Sequence, residues 1–210
     1  RIDGLDNDCD GEVDEGCTGP TGTLSLQDVL EGIDNPVSMV VGDVNKDNIK
    51  DILVTRSENS NRLAILAGNG AEGRGDGTFS LLDQIDLALG PRQAALTDLD
   101  RDGITDIVTI SAVNPMIQAH LGQGFNSVPD GQYSTVDTPL MGTPVAMDLG
   151  DIDGDRVTDV VVAMGQPTPE LVLALGLESN LYADGTFSTN TLPCPFEPRG
   201  VLLRDVNHDH

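Results

Sequence analysis

One acidic phrase returns four times along the chain: Asp43-Val44-Asn45-Lys46-Asp47, Asp98-Leu99-Asp100-Arg101-Asp102, Asp151-Ile152-Asp153-Gly154-Asp155 and Asp205-Val206-Asn207-His208-Asp209. The first aspartates stand at 43, 98, 151 and 205, a period of 53 to 55 residues. Two further markers keep the same register. A proline (Pro36, Pro91, Pro144, Pro198) lies seven residues before each phrase, and an Asp-Gly pair followed by an aromatic (Asp76-Gly77-Thr78-Phe79, Asp130-Gly131-Gln132-Tyr133, Asp184-Gly185-Thr186-Phe187) lies some 33 residues after the first three. Repeats of this length, each with four short apolar runs, suit the blades of a β-propeller better than a helical solenoid.

The expected fold class is therefore all-β: three four-stranded blades plus the first strand of a fourth. In the first repeat the strands fall at Val37–Val41, Ile52–Thr55, Leu63–Leu66 and Phe79–Leu87, the last following an Asp76-Gly77 turn. The second repeat places them at Gln93–Leu96, Ile107–Ile110, Ile117–Leu121 and Tyr133–Val136, and the third at Val145–Met147, Val160–Ala163, Leu171–Leu175 and Phe187–Thr191. Val201–Leu203 opens the fourth. The inner runs are continuously apolar, as expected of strands covered on both faces by neighbouring blades. The repeats occupy 36–210, divided at about 36–90, 91–143, 144–197 and a truncated 198–210; residues 1–17 form a separate acidic motif and 18–35 a linker and lead-in. The last repeat stops mid-loop and no initiator methionine or signal peptide is present, so the chain reads as a piece of something longer.

The formal net charge is −24, yet most of the acids are not scattered over a surface. Thirteen of the thirty-five Asp and Glu residues sit at positions 1, 3, 5 and 9 of the four phrases, and seven more lie within residues 3–15. Carboxylates held about 4 Å apart repel by roughly 4 kcal/mol per pair at an effective dielectric near 20, a penalty that a divalent cation removes. The plainer alternative is a set of solvated acidic turns. Only eleven Lys and Arg residues are present, without a cluster, which argues against nucleic acid, and no apolar stretch approaches a membrane span.

Oxygen-bearing side chains at positions 1, 3, 5 and 9, with a backbone carbonyl from position 7, suit calcium, which takes six to eight oxygens without strict angles. Position 9 is Asp51, Asp106 or Asp159, and position 7 is Ile49, Ile104 or Val157. Position 6 is Asn48, Gly103 or Arg156; the third copy carries its glycine two places earlier, at Gly154, so the third loop is expected to turn differently from the second. The loops are not EF-hands, because position 12 holds Val54, Thr109 or Val162 where a bidentate glutamate would stand. Residues 1–17 repeat the spacing once more, with Asp6, Asp8, Asp10 and Asp14 at positions 1, 3, 5 and 9 and Glu12 at position 7. Cys9 and Cys17 bracket this segment at a spacing that favours a disulfide over zinc or redox chemistry, and hence an oxidising compartment; three unrelated reduced cysteines are the alternative. Cys194 is then a free thiol or bonded to a residue outside this chain.

The pattern Asp-x-[Asp/Asn]-x-Asp-x-x-x-Asp-[Ile/Val], followed by Asp-Gly-Thr-Phe and a proline-led strand, resembles the FG-GAP/VCBS repeats of integrin-α-type β-propellers over residues 36–210. The resemblance implies blades of a larger, commonly seven-bladed propeller, with calcium in the hairpin loops between the first two strands of a blade. Carried over by position, the ligands would be Asp43, Asn45, Asp47, Ile49 and Asp51; Asp98, Asp100, Asp102, Ile104 and Asp106; Asp151, Asp153, Asp155, Val157 and Asp159; and Asp205, Asn207 and Asp209. Residues 3–17 separately resemble a short Asp/Cys-rich motif of large secreted bacterial proteins, to which metal binding is ascribed.

The function expected is a calcium-binding extracellular or cell-surface module for adhesion or for binding a protein or glycan partner, with calcium structural. The alternatives are the propeller of a secreted polysaccharide-active enzyme, or a lectin. No Gly-x-Ser-x-Gly, His-Glu-x-x-His or phosphate loop is present. His120 ends an apolar strand and reads as structural, Asp148 as a strand-end polar residue, and the absence of tryptophan weakens the lectin reading.

Overall fold

The computed structural model describes residues 33–57, 61–179 and 182–204. Twelve strands form three sheets and no helix is present among these residues. The first sheet holds β1 (Pro36–Gly42), β2 (Asp51–Arg56), β3 (Arg62–Ala71) and β4 (Arg74–Asp86). The second holds β5 (Pro91–Thr97), β6 (Asp106–Ser111), β7 (Met116–Phe125) and β8 (Val128–Pro139). The third holds β9 (Pro144–Gly150), β10 (Asp159–Met164), β11 (Glu170–Ser179) and β12 (Tyr182–Pro193). Each is an antiparallel meander in chain order, which is the build of a propeller blade.

The register prolines Pro36, Pro91 and Pro144 are the first residues of β1, β5 and β9, a place where a missing N–H costs a sheet least. Every residue of β6 and β10 is buried, because their alternate side chains meet different neighbours. Ile107 joins Leu53, Leu63 and Ile65 of the first blade, while Val108 and Ile110 join Val160, Val162 and Met164 of the third. A continuous apolar run is thus two alternating faces, each closed by a blade. The first strands are also stitched, side chain to backbone, to the segment that opens the next repeat. Ala94 N–H donates to Ser38 Oγ (3.2 Å), Met147 N–H to Gln93 Oε1 (2.9 Å), and Leu203 N–H to Asp148 Oδ2 (2.7 Å). Asp148 therefore serves as the blade-to-blade stitch of β9.

Two expectations need correction. The Asp-Gly pairs are not the hairpin turns. The turns between third and fourth strands are Glu72-Gly73 (φ 53° and 74°) and Asn126-Ser127 (φ 51° and 58°), both of the type that requires positive φ at its two central residues. The Asp-Gly pairs lie inside β4, β8 and β12 as bulges: Gly77, Gly131 and Gly185 have positive φ, and Asp76, Asp130 and Asp184 accept the N–H of the residue two places on. Third and fourth strands accordingly run well past the expected ends. Secondly, Val201–Leu203 is not a strand. In the other blades the first strand is hydrogen-bonded into its sheet by the second, and no second strand of a fourth repeat is among the described residues.

His120 is fully buried in the second blade, with Nε2 3.2 Å from Thr109 Oγ1 and Nδ1 3.0 Å from Thr135 Oγ1. A neutral imidazole has one donor and one acceptor for two hydroxyls; an imidazolium has only donors. Burial pushes its pKa down from 6.5 to about 4, against a smaller opposing pull from Asp137. Since the folded pKa lies below the unfolded one, the unfolded chain binds the extra proton, and stability present above about pH 6.5 is lost as pH falls toward 4. In chelator, between pH 7 and 4.5, the wild type is expected to lose roughly 2 kcal/mol more than His120→Gln, read by urea unfolding; equal losses would contradict the buried neutral imidazole.

Candidate metal centre

Each of the first three acidic phrases lies in the loop joining the first and second strands of its blade, and the three loops share one set of hydrogen bonds. Position 1 accepts the N–H of position 6 on Oδ2: Asn48 to Asp43 (2.9 Å), Gly103 to Asp98 (3.0 Å), Arg156 to Asp151 (2.8 Å). Position 3 accepts the N–H of position 5 through Asn45, Asp100 and Asp153, and position 5 accepts the N–H of position 7 at 2.7 Å through Asp47, Asp102 and Asp155. Each of these side chains gives an oxygen to the loop's own backbone, and Asp151 gives both, its Oδ1 also accepting the Gly154 N–H (2.7 Å), so that the chain curls around them. The apolar side chain of position 7 is buried in each case, Ile49, Ile104 and Val157.

The third loop does not turn differently from the second. Positions 4 and 6 are left-handed in all three: Lys46 and Asn48 (φ 61° and 67°), Arg101 and Gly103 (62° and 82°), Gly154 and Arg156 (84° and 72°). The backbone demands positive φ twice. A glycine relieves one of the two sites in the second and third loops, and neither in the first, so moving the glycine from position 6 to position 4 leaves the turn unchanged.

Position 9 has a distinct task. Asp51, Asp106 and Asp159 are all fully buried. Oδ2 of each accepts the N–H of position 2 (Val44 2.8 Å, Leu99 2.6 Å, Ile152 2.6 Å), and Oδ1 accepts an N–H from the third strand (Gly68 3.0 Å, Gly122 2.8 Å, Gly176 2.8 Å). One carboxylate thus ties the loop's start to the middle of the sheet. The three glycines went unmarked in the sequence. An added Cβ at Gly122 would lie 2.7 Å from Ile104 Cγ2 and 2.9 Å from the Thr105 carbonyl, and those at Gly68 and Gly176 would strike the Lys50 and Thr158 carbonyls. Their common place 24 or 25 residues after the first aspartate is a fourth periodic marker that could have revealed them.

Carboxylate oxygens of Asp98, Asp100 and Asp106 come within 4.8 Å of one another, as do those of Asp151, Asp153 and Asp155. Asp102 of the second loop and Asp159 of the third stand outside these groupings. The first loop has no such trio: position 3 is Asn45, whose Nδ2 donates to Asp47 Oδ2 at 3.0 Å. Its sign of a missing partner is different. Asp43 Oδ1 is shut off from water with no hydrogen-bond partner, a state that costs a charged group several kcal/mol unless something satisfies it. None of the loop carboxylates is ion-paired among the described residues; Arg101 bonds Glu178 (3.0 Å) instead. Burial pushes Asp106 up to about 6 although three backbone N–H donors, Gly122, Leu99 and Asp100, pull it down, and burial followed by neighbouring carboxylates raises Asp159 and Asp100. These are crowded oxygen donors, and the set fits a hard divalent ion. Asp6, Asp8, Asp10, Glu12 and Asp14, the Cys9–Cys17 pair, and Asp205, Asn207 and Asp209 lie outside the described residues; Cys194 carries a free thiol.

Positions 1 and 9 of one loop should separate cleanly in chelator. Asp106→Asn turns an amide NH2 toward a buried N–H and is expected to cost about 2–4 kcal/mol even without metal, whereas Asp98→Asn keeps an acceptor for Gly103 and should cost less than about 1 kcal/mol. Gly122→Ala is expected to cost at least about 2 kcal/mol through overpacking. Urea unfolding in EDTA measures all three; equal costs for Asp98→Asn and Asp106→Asn would refute the division of labour.

No helix among the described residues is long and apolar enough to cross a membrane. No curated protein matches this chain. The family model described as FG-GAP-like repeat matches residues 43–109, from the first aspartate of the first loop, across the second loop, into β6. Residues 43–109 are thus similar to an FG-GAP-like repeat, and the three four-stranded antiparallel sheets have the build of propeller blades.

Proposed function

We propose that this chain is a calcium-stabilised part of a larger, commonly seven-bladed propeller that stands outside the cell or on its surface and binds a protein or glycan partner without turning it over. The observation that carries the calcium reading is the pairing of two converged carboxylate trios with a buried, unpartnered Asp43 Oδ1 in three loops of one design. Asp43, Asn45, Asp47, Asp51 and the Ile49 carbonyl would hold an ion in the first loop; Asp98, Asp100, Asp102, Asp106 and the Ile104 carbonyl in the second; Asp151, Asp153, Asp155, Asp159 and the Val157 carbonyl in the third. When bound, calcium supplies charge neutralisation and cross-linking of the loop, not chemistry on a substrate. The extracellular placement and the partner role rest on the repeat family, and the binding reading is supported by His120, which is locked between two threonine hydroxyls and unavailable for acid–base work.

Binding to the folded state stabilises by RT ln(1 + [L]/Kd), about 2.7 kcal/mol per site at a hundredfold excess over Kd. Millimolar calcium is therefore expected to raise the melting temperature by at least several degrees, magnesium less, and Asp98→Asn with Asp100→Asn should remove part of that rise while leaving the value in EDTA within about 2 °C. A melting temperature insensitive to calcium would sink the calcium reading. A glycan array and a pull-down against extracellular proteins test the partner, and hydrolysis or lysis of an array glycan would replace the binding reading with catalysis.

A further inference from the structure

The first two loops are joined by two hydrogen-bonded bridges, and among the described residues neither has an equivalent at the third loop. Thr105, at position 8 of the second loop, donates its hydroxyl to the backbone carbonyl of Asp43, position 1 of the first (3.2 Å). The second bridge runs through the tip of the β7–β8 hairpin. Lys46 Nζ, at position 4 of the first loop, donates to the Ser127 carbonyl (2.9 Å), and Ser127 Oγ donates to the carbonyl of Asp102, position 5 of the second loop (2.6 Å). The hairpin tip is seated tightly there, since a Cβ on Gly103 would stand 2.7 Å from Ser127 Oγ. Between the second and third loops the equivalents among the described residues miss the ligand residues, and the tip of the third blade's hairpin, 180–181, lies outside the described residues. Arg101 reaches Glu178 on β11, and Thr158, the counterpart of Thr105, meets only the Thr97 hydroxyl, ahead of the second loop's first aspartate (3.4 Å).

We infer that the first and second loops bind calcium with positive cooperativity, and that Thr105 and Ser127 are the positioning residues that couple them, neither of them touching an ion. This rests on the calcium reading above. Asp102, held to an ion at the second loop, would keep in place its own peptide carbonyl, which accepts from Ser127, while Asp106, already bonded to Leu99 and Gly122, would hold its neighbour Thr105. Those in turn hold Asp43 and the Lys46 turn, so the first loop's ion meets a backbone already set. Contiguous hydrogen-bonded chains of this kind carry coupling only when both ends respond, and the coupling must be the same in both directions.

The opposing influence is plain electrostatics, because neutralising one acidic loop weakens the pull on a cation at the next; at 0.15 M salt that influence is screened beyond about 8 Å. The test follows the Asn48 and Gly103 amides by NMR through a calcium titration at that salt, reporting the first and second loops separately. In the wild-type chain, Asp98→Asn with Asp100→Asn is expected to weaken first-loop binding at least about fivefold. In a Thr105→Val, Ser127→Gly background, which changes no charge, the same pair is expected to change it by less than about twofold. Should the double background lose fold, Ser127→Gly alone, at an exposed hairpin tip where glycine accepts the positive φ, should lower the wild-type factor. Disabling the first loop with Asp43→Asn and Asp47→Asn should weaken the second by the same factor, while Asp151→Asn with Asp153→Asn should leave the second within about twofold. Equal changes in both backgrounds, or none in either, would overturn the coupling while leaving calcium binding intact. If neither amide shifts saturably, the calcium reading falls and the coupling with it.

Discussion

A buried carboxylate bonded at both oxygens to backbone N–H groups holds each described blade's loop to its sheet. Asp51, Asp106 and Asp159 sit at full burial and spend both oxygens on backbone N–H groups, one at the loop's start and one in the third strand. A charge in that position is tolerable only because charge-assisted hydrogen bonds replace its water. Other features follow from it. The third strand must approach closely, which leaves no room for a side chain at Gly68, Gly122 or Gly176. The loop must then close in few residues, which forces two left-handed positions and directs the remaining aspartates inward.

The acidity of the chain takes on a different meaning in that setting. A net charge of −24 on 210 residues would ordinarily work against a compact fold. Here much of it is gathered where backbone amides meet it, and packing between blades proceeds on neutral surfaces. The cores joining first to second blade and second to third are built from Leu, Ile, Val, Met and Ala with the ring of Tyr133 or Phe187 at the margin. Charge and core occupy different zones of each blade, the loops at one end and the strands in the middle.

The blade architecture and the loops were legible because both are periodic. The apolar runs that alternate between two neighbours, such as Ile107 and Val108, read correctly as strands covered on both faces. What escaped was whatever depends on backbone approach and not on side-chain type. Gly122 looks like any glycine until the Asp106 carboxylate and the Thr105 carbonyl are placed beside it. The Asp-Gly pairs carry turn chemistry, yet they bulge a strand, because the adjacent Glu72-Gly73 and Asn126-Ser127 pairs supply two positive φ angles in succession. Arg156 suggested a different turn only so long as position 6 was taken to be the sole left-handed site. The role of Asp51, Asp106 and Asp159 was half visible: their spacing marked them as oxygen donors to an ion, while their hydrogen bonds to the sheet needed the third strand in place.

The ninth-position clamp also bears on speed. The base of each loop is already fastened to the sheet by hydrogen bonds that owe nothing to an ion, so on the calcium reading the strands beneath it would not have to move when a cation is bound or released. Exchange with the surrounding medium would then be a local matter of a few side chains and waters, without passage through an unfolded sheet.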